Sequence, residues 1–124
     1  MKSYLLVMAG GGIGAALRFA LSRALPVGSG WPWSTFAANV VGGLAMGVLA
    51  AWVMRQGEPA ESLRLLLGVG LLGGFTTFSA FSLEMAVMVE RGQGMLALGY
   101  ALASVTLALA AVFAGLTLGR GALA

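Results

Sequence analysis

Twelve residues in the second half of the chain stand apart from their surroundings: Gly73-Gly-Phe-Thr-Thr-Phe-Ser-Ala-Phe-Ser-Leu-Glu84. They sit in an apolar block that carries no charge from Leu65 to Leu83. Gly-Gly followed by Thr-Thr is weak helix-forming material, through backbone entropy and β-branching. A helix broken there frees carbonyls and amides at the centre of a span, which protein or a polar cavity must then satisfy. Two such breaks facing each other would offer opposed carbonyls, an oxygen site for one monovalent cation. The alternative is an unbroken helix whose hydroxyls bond back to its own carbonyls. Phe78 and Phe81, three apart, lie on neighbouring parts of one helix face. A phenyl ring has a positive edge, so a ring presented edge-on favours an anion without burying a formal charge. Plain packing is the other use of such a pair.

Other neutral donors sit in neighbouring apolar blocks. Asn39 is the only asparagine, and a polar residue inside an apolar span is a functional candidate. Its amide offers two donors, for an ion or for an interhelical bond. Tyr100 and Ser104, four apart, share a face and extend a line of hydroxyls. Arg18 is suited to drawing anions toward one mouth, to snorkelling, or to pairing with Glu84.

The elements that position these residues are legible from hydropathy. The chain has 124 residues, 60% hydrophobic and 9% charged, with mean hydropathy +0.97, too apolar for a soluble domain. A bilayer-spanning helix needs about 20 apolar residues. The charge-free blocks from Ala24 to Met54, Leu65 to Leu83 and Gly92 to Gly119, with the N-terminal stretch from Tyr4 to Leu25, supply four. The expected fold class is therefore all-α membrane protein: four transmembrane helices in a single domain over 1–124, at about 4–25, 33–54, 63–89 and 95–118, the third broken near its middle. The first stretch is too long for a signal-peptide core and contains Arg18, so it reads as a retained span. A turn is expected over 26–32, with Trp31 and Trp33 at the interface. Ser62 is the expected N-cap of the third span. Gly10/Gly14, Gly43/Gly47 and Gly70/Gly74, each four apart, allow close helix approach in lipid. Gly68–Gly73 matches GxGxxG, but inside an apolar span with no preceding strand it does not read as a nucleotide site.

Charge bears on orientation. With four spans, one side carries Lys2, Arg55, Arg64 and Arg120, and the other Arg18, Arg23 and Arg91. Four against three is almost no bias for the positive-inside rule. Such a chain can insert both ways, and two opposed copies can pair about an axis in the membrane plane. The expectation is an antiparallel (dual-topology) homodimer; a single-orientation oligomer is the alternative.

Absences narrow the chemistry. There is no cysteine, histidine or aspartate, so thiol chemistry, imidazole metal sites and the commonest proton shuttle are excluded. The basic residues form no patch for nucleic acid. A proton-coupled exporter needs a buried carboxylate, and Glu84, toward the end of its span, is the only candidate. An inventory of amide, hydroxyls and ring edges suits a small hard anion whose hydration shell is replaced by many modest donors. A non-transporting scaffold subunit would explain the glycine pairs, but not Asn39 and a hydroxyl-aromatic run at one depth.

Over almost its whole length the chain resembles the Fluc (CrcB) family of fluoride channels. The likeness rests on Gly73–Glu84, on Gly11-Gly-Ile-Gly-Ala-Ala-Leu-Arg-Phe19 and on Thr35-Phe-Ala-Ala-Asn-Val-Val-Gly42. The resemblance implies passive fluoride export across a bacterial plasma membrane, no enzyme activity, and a dual-topology homodimer with two pathways along the subunit interface. It implies Asn39 as a fluoride donor, Phe78 and Phe81 as edge-on ligands, and Tyr100 and Ser104 as the start of a polar track. Arg18 would be the vestibule arginine, and the carbonyls of Gly73 and Thr76 would hold a central sodium ion. The family often has threonine where this chain has Ala80, and commonly continues the polar track at the positions of Ala108 and Val112.

Overall fold

The computed structural model describes residues 1–25 and 30–122. They are almost entirely helical, with no strand among them. Helix α1 spans Lys2–Ala24 and α2 spans Trp33–Gln56. The third span is composite. A 3-10 turn (Glu58–Ala60) leads into the α-helical turn α3 (Glu61–Leu63), a nine-residue π segment (Arg64–Leu72) and a last α-helical turn, α4 (Gly73–Phe75). Helix α5 (Ser79–Glu90) follows, and α6 (Gly94–Ala122) completes the described chain. Four helical stretches, Lys2–Ala24, Trp33–Gln56, Glu58–Glu90 and Gly94–Gly121, are long and apolar enough to cross a membrane.

The ends have local causes. Gly57, at φ +69°, terminates α2 in a conformation that disfavours a side chain. Gly92, at φ +76°, ends α5: its N–H bonds the Val89 carbonyl at 3.0 Å and Gln93 N–H reaches Met88 at 2.8 Å. This is a Schellman closure. The turn expected over 26–32 lies partly outside the described residues. Ser62 is not an N-cap. The helical run begins four residues earlier, at Glu58, and no side chain caps it. Pro59 explains the shift, because a residue without an N–H costs nothing in a first helical turn. Glu58 and Glu61 there also favour the positive end of the helix dipole.

Backbone-to-backbone packing joins the spans in two pairs. The glycines of α1 meet those of the third span: a Cβ on Gly10 would lie 3.0 Å from the Gly70 Cα and run into the Leu66 carbonyl. One on Gly14 would strike the Leu71 carbonyl, and one on Gly74 would lie 3.1 Å from the Gly11 Cα. Helix α2 meets α6 in the same way. A Cβ on Gly47 would come 3.0 Å from the Gly115 Cα and collide with the Val112 carbonyl. Small residues permit such approach, and dispersion then holds helices that have no hydrophobic drive to associate in lipid. Side-chain packing is concentrated where α5 meets α6, around Phe81, Met88, Ala97 and Tyr100, with Trp31 and Phe36 against them. Many large apolar side chains elsewhere, Leu102 and Phe113 among them, face outward, as lipid contact allows.

Candidate functional site

Between α4 and α5 the backbone leaves the helix. Thr76 is extended (φ −86°, ψ 159°), and regular helix resumes at Ser79. The polar groups here find partners from three directions. Upstream, the Thr76 N–H and Thr76 hydroxyl both donate to the Leu72 carbonyl, at 3.0 and 2.9 Å. From α2, the Asn39 amide brackets one residue: its Nδ2 donates to the Thr77 carbonyl at 3.1 Å, and its Oδ1 accepts the Thr77 N–H at 2.9 Å. From α1, Arg18 Nε donates to the Gly74 carbonyl at 3.3 Å. The Thr77 hydroxyl accepts the Ala80 N–H at 3.2 Å, serving α5 as an N-cap does.

Three carbonyls are left over, those of Gly73, Phe75 and Thr76. In a continuous helix the Thr77 N–H would serve Gly73, but Asn39 has taken it. The Ala80 N–H would serve Thr76, but the Thr77 hydroxyl has taken it. Among the described residues no donor reaches these carbonyls, nor does the Ser79 N–H serve Phe75 as it would in a continuous helix. Carbonyl oxygens without donors are suitable ligands for a hard monovalent cation.

Beside the break is an open cavity of about 400 Å³. Asn39, Gly73, Thr76, Thr77, Phe78, Phe81 and Ser104 line it, with Val105 and Ala108 beyond Ser104 on α6. Six of the residues singled out by sequence thus share one wall. Phe81 is buried (8% exposed), whereas Phe78 is 78% exposed, with ring centroids 5.9 Å apart. Ser104 is 5% exposed, and its hydroxyl has no hydrogen-bond partner among the described residues. Asn39 uses one amide proton on Thr77, and among the described residues no acceptor takes the second. The cavity therefore offers neutral donors and aromatic surface, and no carboxylate lines it.

A family description, CrcB-like protein, Camphor Resistance (CrcB), matches residues 5–116. The chain belongs to the CrcB family. Among curated relatives, a protein of Novosphingobium aromaticivorans named Fluoride-specific ion channel FluC is 54% identical over 98% of both chains. Proteins of the same name from Phenylobacterium zucineum and Caulobacter sp. are 56% and 52% identical, each over 97% of this chain and over 97% and 96% of their own. Membership and the four apolar helices make this a multi-pass membrane protein.

Two residues singled out by sequence lie off the cavity wall in this CrcB chain. Arg18 does not pair with Glu84; its Nε is committed to the Gly74 carbonyl. Tyr100 is fully buried, its ring tilted against Phe81 at 5.0 Å and edge-to-face with Trp31 at 5.2 Å. Its hydroxyl donates to Glu84 Oε1 at 2.8 Å, and the Thr35 hydroxyl donates to Oε2 at 2.7 Å. Sequence reasoning found Glu84 but neither of these partners. Thr35 and Asn39 are four apart, so α2 presents both to the third span from one face. That spacing was the available signal. Thr77, whose peptide Asn39 holds, carried none beyond its place in the Thr-Thr pair.

Proposed function

We propose that this chain is a fluoride-selective ion channel, working as an antiparallel homodimer in the bacterial plasma membrane, with all of 1–124 as one membrane domain. The observation that carries the reading is the cavity that gathers Asn39, Phe78, Phe81 and Ser104 without a formal charge. It is supported by CrcB membership and by relatives named as fluoride channels. On this reading the chain is a pore and not an enzyme.

Fluoride is small and strongly hydrated, so its water must be replaced by several donors of moderate strength. The free amide proton of Asn39 and the Ser104 hydroxyl supply hydrogen bonds, and the ring edges of Phe78 and Phe81 supply weaker positive charge. Chloride is larger and fits such a donor set poorly. No fuel is needed. HF crosses lipid neutral and ionises in a near-neutral cytoplasm, while a unit charge crossing ~100 mV gains about 2.3 kcal/mol. At about 1.4 kcal/mol per tenfold, that sustains roughly a 45-fold outward gradient.

The dimer reading rests on the four-against-three distribution of basic residues and on the exposure of Phe78 beside a cavity open on one side. A second subunit would cover that ring and close the pathway. The free carbonyls of Gly73 and Thr76 fit a sodium ion shared between two such breaks, which would neutralise their partial charge and hold the subunits together. Tyr100 keeps Phe81 seated, and Arg18 holds the break while leaving positive charge near one mouth.

The test is efflux from liposomes loaded with fluoride and chloride, followed with ion-selective electrodes. Rapid fluoride release with chloride retained, lost in Asn39→Asp and Phe78→Ile, is the expected result. Well-folded dimers that release neither ion, or both alike, would overturn the channel reading.

A further inference from the structure

Helix α2 carries two adjacent glycines with different neighbours. A Cβ on Gly43 would lie 2.9 Å from the Ala108 carbonyl, so Gly43 belongs to the α2–α6 packing. Gly42 is buried and faces the other way. A Cβ on Gly42 would collide with the γ-methyl of Thr76, and would stand 3.6 Å from the Phe75 ring. Thr76 is thereby held at both arms of its branched side chain. Its hydroxyl is tied to the Leu72 carbonyl, and its methyl occupies the space over Gly42. One rotamer satisfies both, and a β-branched side chain has few others.

Gly42 is three residues from Asn39, on the same face of α2. Asn39 grips the Thr77 peptide and Gly42 receives the Thr76 methyl. Two consecutive residues of the break are thus held by one short α2 segment, Asn39-Val-Val-Gly42. We infer that Gly42 is a positioning residue: its missing side chain seats Thr76 and so fixes the backbone that frees the Gly73 and Thr76 carbonyls. A methyl at Gly42 must displace Thr76, and with it the peptide that Asn39 holds. Helix propensity predicts the reverse, since alanine is the better helix former; a loss on Gly42→Ala therefore reports the seat.

The inference rests on the sodium and fluoride reading above, and its test separates the two. Gly42→Ala, Thr76→Ser and the double variant are purified alongside the unaltered protein, with size-exclusion elution as the folding check. Each is measured for fluoride efflux, and for the rise in melting temperature when sodium replaces N-methylglucamine, a binding readout independent of conduction. Serine keeps the hydroxyl bonded to Leu72 and removes the methyl. Gly42→Ala is expected to lose at least about tenfold in efflux and most of the sodium-induced stabilisation, as overpacking of a filled site does. Thr76→Ser is expected to raise the sodium midpoint about threefold, because one arm of the lock is gone. The double variant should return to the Thr76→Ser level. Gly42→Ala that matches the unaltered protein, or a double variant no better than Gly42→Ala, overturns the seat. If Gly42→Ala does not fold, an unchanged sodium midpoint in Thr76→Ser overturns it instead. Failure of the unaltered protein to release fluoride would sink the channel reading while leaving the sodium comparison intact. Absence of any sodium response would sink the cation reading while leaving the efflux comparison.

Discussion

The side-chain amide of Asn39 holds the Thr77 peptide from both sides, donating to its carbonyl at 3.1 Å and accepting its N–H at 2.9 Å. A side-chain amide carries both the donor and the acceptor needed to satisfy a peptide reciprocally, and it does so without titrating. This pairing replaces the hydrogen bonds that the Thr77 peptide would have made in a continuous helix, and it leaves one amide proton for the cavity. Asn39→Asp keeps the acceptor, loses the donor and adds a charge in an apolar span. It should abolish fluoride efflux, and melting should show a stability loss of about 1–3 kcal/mol for the unpaired Thr77 carbonyl. Asn39→Leu should lose both functions as well; a leucine variant with intact efflux would show that the anion passes without this donor.

Arg18 makes a directional bond to the Gly74 carbonyl as well as carrying a charge. Lysine keeps the charge but has no planar Nε–H aimed at the Gly74 carbonyl. Arg18→Lys is therefore expected to reduce efflux nearly as much as Arg18→Gln. If lysine instead preserved full efflux, the arginine would be acting only through its field.

Glu84 accepts two hydroxyls, from Thr35 and Tyr100, which ties α5 to α2 and α6. Glutamine has only one acceptor oxygen, so Glu84→Gln turns one of these hydroxyls away from its partner. A loss of about 1–3 kcal/mol is expected in thermal or denaturant unfolding. Tyr100→Phe removes a donor and leaves the carboxylate its bond from Thr35, so it should cost less. It should also leave the ring contact with Phe81 in place. Equal losses in the two variants would contradict this ordering.

Gly47 and Gly115 bring α2 and α6 into backbone contact. Gly47→Val should force the helices apart and cost about 1–3 kcal/mol or more, seen as aggregation or a shifted elution volume before any loss of selectivity. Gly121, where a Cβ would meet nothing within 4 Å, should accept alanine without change in elution.

Ala108 lines the same cavity as Ser104, one helical turn further along α6. A serine at Ala108 would extend the donor line past Ser104, whose hydroxyl has no protein partner among the described residues. Ala108→Ser should raise fluoride efflux about two- to fivefold while chloride stays retained. Unchanged efflux would place the slowest step elsewhere in the pathway.

The spans were legible because lipid imposes a one-dimensional rule. A backbone crossing hydrocarbon must satisfy its own polar groups, so about 20 apolar residues announce a helix. Weak helix formers at Gly73–Thr77 and a lone asparagine announced polar business at one depth for the same reason. The glycine pairs signalled close approach, and Gly10/Gly14 and Gly70/Gly74 proved to be two halves of one contact. The early start of the third span at Glu58 was less legible, because Pro59 reads equally as a turn.

Partner choice depended on the tertiary structure. Hydropathy does not say that Asn39 would spend its acceptor on Thr77, that Arg18 would reach Gly74 and leave Glu84 to Thr35 and Tyr100, or that Gly42 would receive a methyl group. Each of these pairs residues from different spans, separated by 16 to 56 positions where a hydrogen bond joins them. Composition and spacing determine which residues must leave water and which face of a helix they share. Only packing in three dimensions decides which of several equally suitable donors meets a given acceptor, because that choice turns on distances of a few tenths of an ångström between elements that local sequence does not relate.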